Sequence, residues 1–354
     1  MIFNKKTKHL YIHIPFCNYI CIFSDFKRIL KTPQTKKFFK NFLENIKMHI
    51  NNFKIKQFKT IYLGGGVPNC LNNQELEILL KTISPYVDDN CEYTIECNPE
   101  LINQTQINLF KKYKINRISL NVQSMNNDVL KQMNFIHTNQ DSKKAINLLH
   151  KNGLYNVSCD FLFCISILTL KDLDDVFNFI LNHKINHVSF YSLEIKEQSL
   201  LKKCHITVDE EKEIEQMNYI INKFAGLNFH RYEVCNWTNN FRYIAKHNLA
   251  YWQTEDWAAI GWGAHGYEKN IVYFFDGSIK NPILIKKVLT KHELYQQILM
   301  MGLRLKDGLN LNKKINYEAY SYFKNQLKHV SINKKNHLLI DDLNLLNLTI
   351  LDIF

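Results

Sequence analysis

The sequence predicts an α/β protein: a partial, TIM-like (β/α) barrel of about six units over residues 1–230, followed by a smaller α+β domain over residues 231–354. Three observations carry this. Six short β-branched or apolar runs alternate with longer helix-patterned stretches, the signature of a parallel sheet joined by crossover helices. The six units occupy about 225 residues, short of the roughly 250 that eight units need. Beyond Arg231 the rhythm gives way to aromatic, His- and Gly-containing loop sequence. A doubly wound open sheet is the alternative arrangement of the same units.

In chain order the expected strands are Leu10–Ile14, Thr60–Leu63, Tyr93–Glu96, Arg117–Val122, Val157–Phe163 and His187–Leu193, each a run of strand-forming residues bounded by polar or turn residues. Between them, apolar residues at three- and four-residue spacing mark helices over Lys36–Ile50, Asn73–Ile83, Gln104–Tyr113, Ser142–Lys151, Leu173–Asn182 and Asp209–Phe224. The remainder holds a helix-like Lys291–Leu303 and an apolar tail, Leu338–Phe354. No internal repeat and no Gly/Ser/Pro linker divides the two parts, so they are expected to pack closely.

Composition excludes several classes. Hydrophobic residues make up 46% and charged ones 22% of the 354, with 11 Gly and 6 Pro, values of a folded globular protein rather than a disordered or collagenous one. No apolar run approaches the roughly 18 residues of a membrane span. The first residues run into a strand pattern without a secretory h-region, so a cytoplasmic location is expected. The net charge, 45 − 33 = +12, raises nucleic acid as a partner. Lys is spread over the whole length, however, and clusters such as Lys5-Lys6 and Lys36-Lys37 fit solvated surfaces better than one basic face, so no nucleic-acid partner is expected. Nine Cys without an export signal argue against a disulfide framework. Cys70, Cys91, Cys97, Cys159, Cys164, Cys204 and Cys235 stand alone and fit small buried hydrophobes.

The features with chemical content fall at strand ends, where parallel β/α folds build their sites. After the first strand comes Cys17-Asn18-Tyr19-Ile20-Cys21, a C-x-x-x-C loop able to turn two thiolates toward one metal centre; two incidental thiols are the bland alternative. After the second comes Gly64-Gly65-Gly66, which lets backbone approach a ligand or simply makes a tight turn. Glu96, Gln123 and Asp160 close or occupy the third, fourth and fifth strands, where they could bind the amine and ribose of a nucleoside or merely cap loops. His137, His187 and His265 have no second ligand at short spacing and read as structural.

Together these residues resemble the radical S-adenosylmethionine (SAM) superfamily, and within it the oxygen-independent coproporphyrinogen oxidase family with its HemW-type heme chaperone branch. The resemblance runs over nearly the whole chain. It rests on Tyr11-Ile12-His13-Ile14-Pro15-Phe16-Cys17, the triple Gly, Ile95-Glu96, Val122-Gln123-Ser124, Ile136-His137-Thr138, Asp160 and His187 to Leu193. Further along it takes in Tyr232-Glu233-Val234, His247 to Trp252, Gly261-Trp262-Gly263-Ala264-His265-Gly266 and Gly302-Leu303-Arg304-Leu305.

The resemblance implies a C-x-x-x-C-x-x-C loop holding three irons of a [4Fe–4S] cluster, with SAM on the fourth. Here Cys17 and Cys21 are followed by Ser24 at the third position, and a protonated hydroxyl is a poor substitute for a thiolate. Val67 stands where the family has Thr, Phe135 where it has Arg, and Cys164-Ile165-Ser166 where it has Gly-Leu-Pro. The set implies a decayed SAM site in which radical cleavage is not expected. Tyr11, Gly65, Gly66, Glu96, Gln123 and Asp160 carry over as SAM-contacting positions. Cys70 is the nearest outside candidate for a third thiolate.

Two features select the branch. Phe26 occupies the fourth Cys position of true oxidases, and His247-Asn248-Leu249-Ala250-Tyr251-Trp252 matches the H-N-x-x-Y-W motif associated with heme. His247 is thereby implied as an axial ligand, with Tyr251 and Trp252 covering the macrocycle. The implied function is a heme-binding protein that hands heme to an acceptor protein and is not a catalytic oxidase. A radical SAM oxidase acting on a porphyrinogen, and a non-catalytic interaction protein on the same fold, are the alternatives.

Overall fold

The computed structural model describes residues 7–20, 26–33, 35–52, 57–195 and 208–354. Cys21, Ser24 and Cys204 lie outside the described residues. The first half alternates strands and helices: β1 (His9–Ile14), β2 (Phe16–Cys17), β3 (Ile29–Leu30), α1 (Lys36–Asn52), β4 (Thr60–Gly65), α2 (Asn73–Ile83), β5 (Glu92–Cys97), α3 (Gln104–Lys112) and β6 (Arg117–Gln123). Then follow α4 (Asn127–Gln132), α5 (Asn139–Lys151), β7 (Val157–Phe163), α6 (Leu170–Asn182), β8 (His187–Ser192) and α7 (Glu210–Ala225).

Strands β1, β4, β5, β6, β7 and β8 pair in parallel in that order, giving the six expected units. Their outward residues, among them Leu10, Ile12, Ile61, Leu63, Ile95, Leu120, Phe161 and Phe190, are buried under the helices in one continuous core. Burying such side chains supplies the main driving force, about 1.5–3 kcal/mol each. The helices start where their caps say. Thr138 with Asp141 and Thr169 with Asp172 form capping boxes, so α5 and α6 begin three residues before the apolar periodicity at Ser142 and Leu173 does. A Thr-x-x-Asp cap satisfies two otherwise orphaned donors and contributes about 1 kcal/mol.

The sheet does not stop at residue 231. After β9 (His230–Arg231), β10 (Asn236–Thr238) and α8 (Lys246–Trp252) come β11 (Trp257–Ile260), β12 (His265–Glu268), β13 (Ile271–Ser278) and β14 (Asn281–Val288). β11 adds to β1 as a seventh parallel strand, and the complete order is β14-β13-β12-β11-β1-β4-β5-β6-β7-β8-β10-β9. The expected start of the smaller part therefore falls inside the barrel sheet. A short Trp-Ala-Ala-Ile strand with no preceding crossover pattern carries little local signal, and its place beside β1 depends on a partner about 250 residues away.

Apart from a small cluster of Ala259, Ala264, Tyr273 and Phe275 on the sheet, a second core forms after residue 290. There α9 (Lys291–Gly302), α10 (Lys314–Phe323) and α11 (Leu346–Leu351) pack Leu299, Leu303, Phe323 and Leu346 against the small sheet of β15 (Leu309–Asn310), β16 (Val330–Ile332) and β17 (His337–Ile340). Among the described residues no helix is long and apolar enough to cross a membrane.

Candidate functional site

Because side chains alternate along a strand, the residues between the outward apolar ones face the concave side, and here they are polar. Register aligns them in rows: His9, Thr60 and Glu92 at the strand starts, Tyr11 beside Tyr62, Glu96 beside Ser119, and Asn121, Asp160 and Ser189 toward the ends. Polar groups out of water are costly unless bonded.

At the strand ends the Tyr62 hydroxyl donates to Glu96 Oε1 at 2.8 Å and the Gly65 N–H donates to Oε2 at 3.2 Å. Burial pushes the Glu96 carboxyl up to about 7; these two hydrogen bonds oppose that shift and the Asp160 charge reinforces it. Asp160 is buried and accepts from Ser119 Oγ at 2.6 Å and Ser158 Oγ at 3.2 Å. Burial raises its carboxyl as well, against the pull of the serines. Gln123 sits at a register shift between β6 and β7 in the left-handed region, φ 64°, with its Oε1 buried and without a hydrogen-bond partner.

The glycine turn is shaped by what touches it. Gly66 N–H donates to Ile14 O and Val67 N–H to Phe16 O, both at 2.8 Å. A Cβ on Gly66 would lie 2.5 Å from Phe16 O and 2.8 Å from Cys17 Sγ, so only glycine fits. Gly65 has φ 116°, and a Cβ on Gly64 would fill the space between Tyr11, Tyr62 and Glu96. Tyr11, Gly65, Gly66, Glu96 and Asp160 are thus brought together at one end of the sheet.

Cys17 is buried in β2, which is joined to β3 by Ile29 N–H to Pro15 O and Lys31 N–H to Cys17 O, both at 2.7 Å. The opposite edge of this loop is held by His13, whose Nδ1 accepts from the Tyr11 hydroxyl at 3.0 Å while Nε2 donates to Lys27 O at 2.8 Å. Burial depresses the His13 imidazole to about 4, so it stays neutral and can act as this clamp. Cys70 is buried, and burial pushes its thiol up to about 12. Among the described residues no group of three or more His, Cys, Asp or Glu gathers to hold a metal.

His247 is not an open imidazole. It is 1% exposed on α8, a helix docked at the opposite end of the sheet, the strand starts. Glu92 of β5 accepts from the N–H groups of Lys246 and His247 at 3.0 and 2.9 Å, capping a helix whose own N-cap, Ala245, supplies no side-chain bond. The His247 ring stacks on Tyr62 with centroids 5.2 Å apart. Its Nδ1 lies 2.6 Å from Thr60 Oγ1 and its Nε2 2.7 Å from the Tyr251 hydroxyl. The expected axial ligand thus has both nitrogens occupied inside the barrel, and Tyr251, its i+4 neighbour, is turned to it. Trp252 lies instead under the Arg304 guanidinium, 5.3 Å from the ring centroid.

His187 is likewise occupied on both sides, by Ser158 Oγ at 2.8 Å and Tyr232 Oη at 2.8 Å, and His137 Nε2 bonds Val122 O at 3.0 Å. His265 differs: its ring is exposed, stacks on Phe274 with centroids 5.3 Å apart, and makes no ring hydrogen bond among the described residues. It follows the turn Gly261-Trp262-Gly263, which packs on His13 and Lys27. Tyr62, Thr60, Glu92 and His9 are site residues that motif reasoning passed over. The signal for them was available as a polar residue at every second position of an otherwise apolar strand.

Residues 11–180 match the family model of the radical SAM superfamily. The chain is 30% identical over 324 residues to the heme chaperone HemW of Lactococcus lactis, covering 87% of this chain and 84% of that one. It is 28% identical to the heme chaperone HemW of Bacillus subtilis, covering 86% and 85%. In fold it is similar to coproporphyrinogen III oxidase (HemN) from Escherichia coli, described as a radical SAM enzyme, with a TM-score of 0.82, 15% identity and coverage of 99% and 91%.

Proposed function

The chain belongs to the HemW family of the radical SAM superfamily, and from that membership we propose that it binds heme as cargo and passes it to an acceptor protein. The observation that carries this is the similarity to a named heme chaperone over 87% of the chain.

The donor set at the cluster loop does not match a three-thiolate cluster, since Cys17 and Cys21 are joined only by the Ser24 hydroxyl. No radical step is assigned to this chain. The residues at the implied SAM positions fit better: the buried Gln123 Oε1 has no hydrogen-bond partner among the described residues and could accept from a bound donor. Tyr11, Gly65, Gly66, Glu96, Gln123 and Asp160 would hold the nucleoside and its amine; in the superfamily that ligand supplies a 5′-deoxyadenosyl radical when a reduced cluster is present. A cationic amine beside Glu96 would favour its carboxylate and release the proton that burial now retains.

For heme, His265 replaces His247 as the ligand to test first. Partial burial lowers its imidazole pKa, so the ring is neutral near pH 7 and has a lone pair for iron. Titrating heme into wild type, His265→Ala, His247→Gln and the Cys17→Ala, Cys21→Ala pair, and following the Soret band, is the experiment. Saturable binding weakened only in His265→Ala supports this assignment. A wild type that shows no saturable band overturns the heme reading. Close to four irons and four sulfides per chain after anaerobic reconstitution, with an EPR signal perturbed by SAM, would favour the oxidase-like alternative.

A further inference from the structure

When one face of an antiparallel ribbon packs on a core, the other face is normally polar. The hairpin of β13 and β14 breaks this rule. Its buried side carries Tyr273, Phe275 and Leu284, which pack with Ala259 and Ala264. On the open side, register places Phe274 opposite Ile285, Val272 opposite Lys287 and Asp276 opposite Ile283, and β12 sets His265 opposite Phe274. There Ile283 is 53% and Ile285 40% exposed, with Val272 and Phe274 half-buried beside them. These are not scattered surface isoleucines. His265, Phe274 and Ile285 form one row across three strands, and a contiguous exposed apolar patch beside a free polar group is the mark of a binding surface.

The shape of this surface selects its ligand. Side chains stand roughly perpendicular to a sheet, and the rings of His265 and Phe274 lie 15° from parallel with centroids 5.3 Å apart. An iron bound at the distal imidazole nitrogen carries its macrocycle perpendicular to the imidazole, and hence parallel to the sheet. The ring system then rests on the tips of Phe274 and Ile285, one and two strand spacings from His265, about 5 and 10 Å. Charge is complementary as well. Residues 269–288 hold four Lys against one Asp, and Asp276 is neutralised by Lys27 at 3.2 Å. Lys287 stands on the open side, two residues beyond Ile285, and remains exposed although it pairs with Glu293. An apolar plate with a cationic rim complements a flat apolar ring that bears carboxylates at its edge.

We propose that the open side of β12, β13 and β14 is a plate for a tetrapyrrole, on which Phe274, Ile283 and Ile285 cover one face of the macrocycle while His265 takes its iron. The plate rests on the heme reading above and extends it: the ring itself is recognised, with or without a metal. Only one face of the ligand is covered. The second axial position and the opposite face stay open to an acceptor, as suits a cargo that must leave.

The test titrates the full chain with heme, followed at the Soret band, and with metal-free protoporphyrin IX, followed by its fluorescence. The double variant Ile283→Thr, Ile285→Thr keeps β-branched strand formers at exposed positions, so it is expected to fold, and circular dichroism checks that it does. It should weaken both ligands about tenfold, because apolar contact beneath the ring is lost. His265→Ala should weaken heme about tenfold and protoporphyrin IX by less than about threefold, since only iron needs the lone pair. Val288→Thr changes a residue 64% exposed on the other side of the ribbon and should bind both ligands as wild type does. Wild-type affinity for both ligands in the folded double variant overturns the plate, while the heme reading then stands on the wild-type band alone. An equal loss in Val288→Thr also overturns it, because adhesion to any apolar strand would produce that result. A wild type that binds neither ligand overturns the plate and the heme reading together.

Discussion

The two motifs by which this chain resembles its family have met opposite fates. At the mouth of the barrel, the cluster loop has lost a letter: Cys17 and Cys21 are followed by Ser24. At the other end, the helix Lys246–Trp252 has kept every letter of H-N-x-x-Y-W, yet its histidine is sealed between Thr60 and Tyr251. The first motif departs from the family's letters, and the second keeps them around a buried ring. An intact motif is therefore no better evidence for a ligand than an altered one until the lone pairs have been accounted for. At the floor of the sheet they are spent on holding α8 against β1, β4 and β5, and in β/α barrels that end is the one concerned with stability.

The sharpest way to break this contrast is to repair the mouth. Ser24→Cys restores a third thiolate, and anaerobic reconstitution should take the protein from poor or labile loading toward four irons and four sulfides per chain. No gain in the variant would place the decay beyond the ligand set, with Val67 and Phe135 the next residues to examine. The converse test removes the floor. His247→Ala deletes a stacked, buried ring and leaves the Tyr251 hydroxyl without its acceptor, which should cost about 3–5 kcal/mol in urea unfolding. Heme bound per folded molecule should not change. A loss below about 1 kcal/mol, or a vanished Soret band in folded protein, would return His247 to ligand duty.

A smaller effect sharpens the mouth through its electrostatics. Glu96 is held up to about 7 by burial, above the ordinary carboxyl value, so the folded state keeps this proton after the unfolded chain has released it. Its contribution to stability is complete below about pH 4.5 and is lost as the pH rises to about 7, up to about 3 kcal/mol. The difference in unfolding free energy between wild type and Glu96→Gln, measured from pH 4 to 8, should follow that curve. A flat difference would mean that the carboxyl is ionised throughout. Smallest is the expected gain from Phe135→Arg, which supplies a guanidinium where the family has one. A charge-assisted hydrogen bond of about 1.5–3 kcal/mol corresponds to roughly tenfold or more in SAM affinity by titration calorimetry; equal affinities would remove Phe135 from the list of losses.

Local pattern was enough for much of the barrel. The run Val157–Phe163 is the strand over the same seven residues, and Asn73–Ile83 is the helix, because a hydrophobic period and a cap lie within one turn or one strand of each other. The starts of α5 and α6 are equally legible in Thr138-x-x-Asp141 and Thr169-x-x-Asp172, three residues ahead of the apolar periodicity. The loss at Ser24 needed no structure, since a hydroxyl is not a thiolate in any fold. What the sequence by itself determined is therefore whatever depends on neighbours along the chain: the alternation that makes one strand face polar, the caps, the glycine turn and the donor set of the cluster loop.

Tertiary structure decided the rest. It joined Trp257–Ile260 to β1 inside the sheet, put Gln123 into a left-handed bulge, and docked α8 so that His247 meets Thr60, 187 positions away in the chain. A hydrogen bond between distant residues leaves no periodicity in either segment, and an imidazole's remaining lone pair is fixed by the partners on both sides of the ring, which come from different strands and helices.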